Sequence, residues 1–271
     1  MTNKILTNIK SYVAKKKEEI AARVAAAENK PCVAIIQVGD LEASNRYVRN
    51  KIKDCEEVGI KTILTKVPET ISAGTLLSII DDYNYDNTIT GIFMQLPVPA
   101  HLEYLTQCIT PYKDVDGLLK GSDYIPCTAK GIMDYLKACE FDLTGKHVVI
   151  IGRSEIVGKP LAAAMTNADA TVTLCHSRTK NLDWYTSHAD LIVCAVGKAN
   201  FLNCYPIYCP VIDVGINFNH EGKMVGDCFN TEDRDVTPVP GGVGLLTRIG
   251  LLENATREIW KEELDDAKTG E

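Results

Sequence analysis

Residues 145–160, GKHVVIIGRSEIVGKP, constrain this chain more than any other stretch. His147–Ile151 is a short apolar run rich in β-branched residues, which reads as a strand buried on both faces. It ends at Gly152. After a brief polar turn, Val157 opens a helix-compatible segment with Gly158 and Pro160 in its first turn, where proline is tolerated. A strand that passes through glycine into a helix start leaves backbone N–H groups and a positive dipole end facing outward, a geometry that suits a phosphate.

The glycine spacing here is G-x5-G, not G-x-G-x-x-G, so a plain packing turn stays open on this loop alone. Two neighbours favour a nucleotide. Arg153 follows the first glycine, and residues 170–174 read as the next strand, ending at His176, Ser177 and Arg178. In doubly wound folds the end of the second strand meets the adenosine ribose, where a carboxylate selects NAD and arginine accommodates a 2′-phosphate. No carboxylate stands here, so NADP fits better than NAD.

The rest of the chain alternates in the same way. Ile5, Ile9, Val13, Ile20 and Val24 recur at helical spacing and predict an opening helix that stops before Pro31. Strands are expected at Cys32–Val38, Lys61–Val67, 88–95, 191–196 and 211–214. Helices are expected at 43–58, 76–83, 128–139 and 245–263, with loops at 112–122 and 237–244. Strands alternating with helices define an α/β class with parallel sheets, and 271 residues suit two domains.

Composition excludes several functions. The formal charge of −7 includes no basic stripe, which argues against a nucleic-acid partner. No apolar run spans a bilayer, and MTNKILTNIK lacks a signal-type apolar core, so a cytoplasmic protein without a membrane partner is expected. Ten cysteines form no C-x-x-C pair and sit mostly in apolar runs, as reduced buried thiols do. No metal-ligand cluster is visible.

A few polar residues lie where chemistry is done. Tyr47 and Lys51 are four apart on a predicted helix and share one face. A lysine there can act in proton transfer, and a tyrosine beside it can stack on a flat substrate; an exposed aromatic and a snorkelling lysine is the plainer reading. Gln95 ends an apolar strand, where open α/β sheets bind ligands. In KDVDG, Asp114 suits a turn cap, whereas Asp116, before Gly117, is better placed to hydrogen-bond a heterocycle. His176 is read as structural or cofactor-facing, not catalytic.

These residues carry a resemblance. SNRYVRNKIK at 44–53, GIFMQLPVP at 91–99, KDVDG at 113–117, PCTAKG, GRSEIVGKP, ATVTLCHSRT, VIDVGIN and TPVPGGVG occur in one order. That order resembles the bifunctional methylenetetrahydrofolate dehydrogenase/cyclohydrolase family of one-carbon metabolism, from about Val33 to Asn254. The resemblance implies an N-terminal α/β catalytic domain (1–120, completed by a helix at 245–271) and a Rossmann-like NADP-binding domain (121–244), with a cleft between them for a tetrahydrofolate-type substrate. It implies Lys51 as the key catalytic group, supported by Gln95, with Tyr47 stacking on the folate and Asp116 holding the pterin. Leu96, Pro97, Gly241 and Gly242 are expected to complete the substrate site. NADP is expected to meet Gly152, Arg153, Ser154 and Ile156 at the first turn, and His176, Ser177 and Arg178 at the second. Val196, Gly197, Gly215, Ile216 and Thr237 are expected along the remaining loops. A homodimer is implied as well.

Some positions depart from the family pattern. Ala129 and Ala199 stand where proline is usual, and Leu245-Leu246 replaces proline and methionine after PGGVG. At Leu245 a proline is expected to stabilise the empty protein by roughly 0.4–1 kcal/mol if the backbone suits it. Two alternatives remain at this point: a dehydrogenase without cyclohydrolase activity or with NAD preference, and a non-catalytic nucleotide-binding scaffold.

Overall fold

The computed structural model describes residues 8–228 and 235–257. They divide into two compact units: Lys15–Cys127 with the chain from Leu251 onward, and the chain up to Ala14 with Thr128–Gly250. The division passes through the first and the last helix.

In the first unit, α1 (Ile9–Ala26) contributes its later part, with Ile20 and Val24 buried. β1 (Cys32–Val38) follows, buried along its whole length. Then come α2 (Glu42–Glu57), β2 (Lys61–Val67), α3 (Ala73–Tyr85) and β3 (Gly91–Gln95). The sheet order is β2-β1-β3, all parallel. The central strand is therefore continuously apolar, while β2, at an edge, is largely exposed. One sheet face, with Ala34, Ile36, Ile92 and Met94, packs on Leu76 and Ile80 of α3 and on Leu102, Leu105 and Ile109. Phe93, one step along β3, points to the other face, which α2 covers.

Two boundaries differ from the periodicity. α3 starts at Ala73, not Leu76, because the Ser72 hydroxyl accepts the Thr75 N–H at 3.0 Å and caps the helix. β3 starts at Gly91, since Thr88 is held in a turn by the Asp86 carboxylate. The far end of α3 is closed by Lys113, whose buried ammonium donates to the carbonyls of Tyr83, Asn84 and Asp86 at 2.8–2.9 Å. Burial lowers the pKa of that lysine, and the helix dipole favours a cation at this end.

The second unit contains α4 (Cys127–Ala138) from Thr128 on, then β4 (His147–Ile151), α5 (Gly158–Asn167), β5 (Thr171–Cys175), α6 (Leu182–Ser187) and β6 (Leu191–Cys194). β7 (Val211–Asp213) leads to a small antiparallel hairpin, β8 (Asn217–Phe218) and β9 (Met224–Val225). The last described helix is α7 (Val243–Ala255). The main sheet runs β5-β4-β6-β7, all parallel. Val149, Ile151, Ile192, Cys194 and Val211 form its core with Leu202, Cys228 and Val236. α6 and the hairpin are too short for a hydrophobic period to announce them. α7 begins two residues before the expected Leu245, and the expected stretch beyond residue 257 lies outside the described residues.

All ten cysteines are free, and Cys204 alone among them is exposed. Burial pushes the Cys55 thiol up to about 12 and raises that of Cys194 as well. Among the described residues no helix is long and apolar enough to cross a membrane, and no cluster of His, Cys, Asp and Glu could hold a metal ion.

Candidate functional site

Both parallel sheets change direction beside their first strand, between β1 and β3 in one unit and between β4 and β6 in the other. The crevice outside the carboxyl ends of strands at such a point is where open α/β sheets bind ligands. Gln95 ends β3 there, in register with the buried Gln37 of β1. Gln95 donates through Nε2 to the Leu96 carbonyl at 2.7 Å, while its buried Oε1 has no partner. Leu96 and Pro97 follow directly, joined by a cis peptide bond.

Lys51 reaches the same face of β3. Its residue is 8 % exposed, and its Nζ lies 3.9 Å from the centre of the Phe93 ring, two residues before Gln95. The Asp116 Oδ1 is 3.7 Å away, close enough for attraction but beyond hydrogen-bond range. Tyr47 sits one turn earlier on α2, partly exposed, with burial raising its hydroxyl pKa. Lys51, Phe93 and Asp116 thus meet, with Gln95 on the same strand face and Tyr47 on the same helix face.

The three polar residues of KDVDG separate in role. Lys113 caps α3. Asp114 is buried and accepts the N–H groups of Gly117 and Leu119 at 3.2 and 2.9 Å, with burial raising its pKa. Asp116 alone turns toward Lys51. Behind it, Asn254 donates to the carbonyls of Val115 and Ile125 at 2.9 and 3.0 Å, joining the Asp116 loop to the segment before α4. Cys127 is fully buried against the same loop, its Sγ 3.2 Å from the Val115 carbonyl. Neither Asn254 nor Cys127 stands out in the sequence, since each acts through backbone carbonyls.

In the second unit the strand and helix expected around Gly152 both form. β4 passes through Gly152, at φ +122°, to α5, and the helix starts so close that a Cβ on Gly158 would lie 1.9 Å from the Gly152 carbonyl. Only glycine fits at 158. Ser154 caps this turn, its Oγ accepting from Val157 and Gly158 at 3.2 and 3.4 Å. Arg153, Ser154 and Ile156 are exposed beside it. After β5, Ser177 and Arg178 are exposed as well, and the Arg178 N–H is held by the His176 ring at 3.1 Å. No carboxylate lies among residues 176–178.

The loops after β6 and β7 carry Val196, Gly197, Gly215 and Ile216. Thr237 is buried, its hydroxyl accepting the Asp213 N–H at 2.8 Å. Gly241 and Gly242 belong to this unit too, after a cis Val239–Pro240 bond. Two buried carboxylates tie these loops together. Asp213 accepts from the N–H groups of Gly215, Asp227 and Cys228 at 2.8–3.0 Å. Asp227 accepts from Val196, Gly197 and Lys198 N–H groups and from the Asn217 amide, also at 2.8–3.0 Å. The available sequence signal was an acid closing the apolar run VID, and another beside glycine in GDC.

Fold and site define a two-unit α/β protein with a glycine-lined strand-to-helix turn at one sheet reversal and a buried lysine beside a half-buried aspartate at the other. The chain matches Tetrahydrofolate dehydrogenase/cyclohydrolase, catalytic domain, over residues 5–116, and the NAD(P)-binding domain of the same name over residues 126–263. It belongs to the tetrahydrofolate dehydrogenase/cyclohydrolase family. "Bifunctional protein FolD" of Campylobacter curvus is 44 % identical, over 92 % of this chain and 93 % of its own. The crystal structure of the bifunctional FolD enzyme from Campylobacter jejuni matches with a TM-score of 0.86 at 41 % identity, covering 94 % of this chain and 98 % of that one. The Trypanosoma brucei enzyme, complexed with NADP cofactor and inhibitor, matches with a TM-score of 0.84 at 28 % identity, covering 93 % and 96 %.

Proposed function

We propose that the protein oxidises 5,10-methylenetetrahydrofolate to 5,10-methenyltetrahydrofolate with NADP+, then hydrolyses the product to 10-formyltetrahydrofolate. The observation that carries this reading is a buried lysine and an unpaired buried amide oxygen in the first unit. Lys51 Nζ is buried beside Asp116 yet outside hydrogen-bond range of it, and Gln95 Oε1 is buried without a donor. A buried acceptor left unpaired costs roughly 1–3 kcal/mol, which a bound folate or water relieves.

NADP+ when bound takes the hydride of the one-carbon bridge, with the folate nitrogen lone pair assisting. The chain's own residues handle position and protons. Tyr47 stacks on the folate, Asp116 accepts from the pterin ring, and Leu96 and Pro97 confine it. Lys51 orients the water that adds to the methenyl carbon. As the new C–O bond forms, one C–N bond breaks, the freed nitrogen is protonated, and one proton is released overall; Lys51 assists these transfers, and the free Gln95 Oε1 offers an acceptor in support. In the second unit Gly152, Ser154 and the N–H groups of α5 receive the phosphates. Arg153, Ser177 and Arg178 receive the 2′-phosphate beside His176, and Ile156, Val196, Gly197, Gly215, Ile216 and Thr237 line the rest. The family resemblance supports a homodimer in the cytoplasm.

The test is to mix the protein with methylenetetrahydrofolate and either NADP+ or NAD+, following methenyl and reduced-cofactor absorbance separately. Reduced cofactor should form faster with NADP+, and added methenyltetrahydrofolate should decay above its uncatalysed rate. No reduced cofactor with either nucleotide would overturn the reading.

A further inference from the structure

Asp227 is fully buried, and four N–H donors surround its carboxylate. Oδ2 takes Val196 and Gly197 at 2.8 and 3.0 Å. Oδ1 takes Lys198 at 2.8 Å and the Asn217 side chain at 2.9 Å. No cation pairs with it among the described residues. The carboxylate also presses on the chain after β7, since a Cβ on Gly215 would lie 2.2 Å from Oδ1. One side chain therefore fixes the loop after β6 to the loop after β7, without standing on either strand. Asp213, closing β7, holds the Asp227 N–H at 3.0 Å and so sets the position of the carboxylate in turn.

Both loops lie at the carboxyl ends of parallel strands, on the side of the sheet remote from β5. The end of β5 faces the adenosine in this class of fold, so the β6 and β7 loops face the nicotinamide half. We propose that Asp227 is a positioning residue for the cofactor: it sets the spacing of residues 196–198 and 215–217, and through them the grip on the nicotinamide half, without touching the cofactor itself. The proposal rests on the cofactor site assigned above. It needs a carboxylate and not merely a polar group, because the four N–H groups and the Cys194 thiol, its Sγ 3.7 Å from Oδ2, are all donors, and an amide would aim its own N–H groups at two of them.

The test uses the full-length protein. NADP+ binding to the wild type is measured first; if it does not bind, the cofactor reading itself fails. Asp227→Asn should then raise the KM for NADP+ by about ten- to a hundredfold, as the loss of charge-assisted hydrogen bonds does. Hydrolysis of added methenyltetrahydrofolate, measured without nucleotide, should stay within about twofold, because Lys51, Gln95 and Asp116 belong to the other unit. Asn217→Ala, which removes one donor and leaves the three backbone N–H groups, should shift the same KM in the same direction by less. It keeps the test open if Asp227→Asn folds poorly. An unchanged KM in both variants overturns the proposal while leaving the cofactor site standing. Equal loss of dehydrogenase and cyclohydrolase activity in both overturns it too, since that marks a general structural role.

Discussion

Replacing Lys51 with methionine keeps the apolar stem and removes the ammonium. Two unit charges 3.7 Å apart attract by about 4.5 kcal/mol at an effective dielectric of 20, and desolvation of the pair offsets much of that. Loss of the cation leaves Asp116, with its side chain 17 % exposed, without a counter-charge. Breaking a buried pair from one side typically costs 3–5 kcal/mol, and partial exposure puts this case at the lower end, about 3 kcal/mol. The attraction of Lys51 to the Phe93 ring is lost as well, a further ~0.5–2 kcal/mol, while the methionine side chain can still contact the ring. Urea unfolding should show this loss, and Lys51→Met with Asp116→Asn should regain most of it. Catalysis should follow a different course. Methenyltetrahydrofolate hydrolysis, followed by absorbance and corrected for the uncatalysed rate, should fall by ~10²–10⁴ in kcat and stay low in the double variant. Hydride transfer should fall less, because the folate nitrogen drives it. If Lys51→Met hydrolyses at the wild-type rate, or if the double variant recovers hydrolysis along with stability, the lysine's role is structural and the mechanism is wrong.

Arg153→Ala should weaken NADP+ by about ten- to a hundredfold and NAD+ far less, since a charge-assisted phosphate contact contributes ~1.5–3 kcal/mol; equal losses in a binding titration would remove Arg153 from the 2′-phosphate. The Leu245 N–H donates to the Gly242 carbonyl at 2.9 Å, so Leu245→Pro gives up a hydrogen bond of roughly 0.5–1.5 kcal/mol against an entropic gain of about 0.4–1 kcal/mol. The stabilisation expected from sequence therefore cancels, and a gain above about 1 kcal/mol in urea unfolding would show that this bond contributes little. Burial pushes the Asp213 carboxyl up to about 6 from 3.8, so the folded protein keeps a proton there that the unfolded chain releases. Its contribution to stability is present at low pH and falls by about 3 kcal/mol as pH rises from about 4 through about 6. The stability difference between wild type and Asp213→Asn should shrink by that amount over this window, and a flat difference would refute the raised pKa.

The architecture was legible because continuous apolar runs such as Cys32–Val38 and His147–Ile151 mark central parallel strands whatever surrounds them. Edge strand β2 was legible for another reason, its β-branched residues between Gly59 and Pro68. Short elements escaped: six residues of α6, and two per strand in the hairpin, carry no measurable period. The Ser72 cap was readable in SAGT, yet apolar spacing alone places the helix start three residues late. Within the candidate site, Lys51, Gln95 and Asp116 could be singled out from motif and strand end. Asn254, Asp213 and Asp227 could not, because their partners are backbone groups supplied by distant segments, and no residue type announces a backbone partner.

The ten free thiols give the molecule its own clocks. A thiol reacts as its thiolate, so Cys55, with its pKa pushed up to about 12, reacts slowly with an alkylating reagent until the structure around it opens. Cys194, with its pKa raised by burial, stands in the same position in the second unit, while the exposed Cys204 records the strength of the reagent. Mass spectrometry of alkylated peptides from the native protein therefore times the opening of each unit separately, with no probe introduced. NADP should slow the clock at Cys194, and a folate analogue the one at Cys55, so the same thiols report which ligand steadies which half.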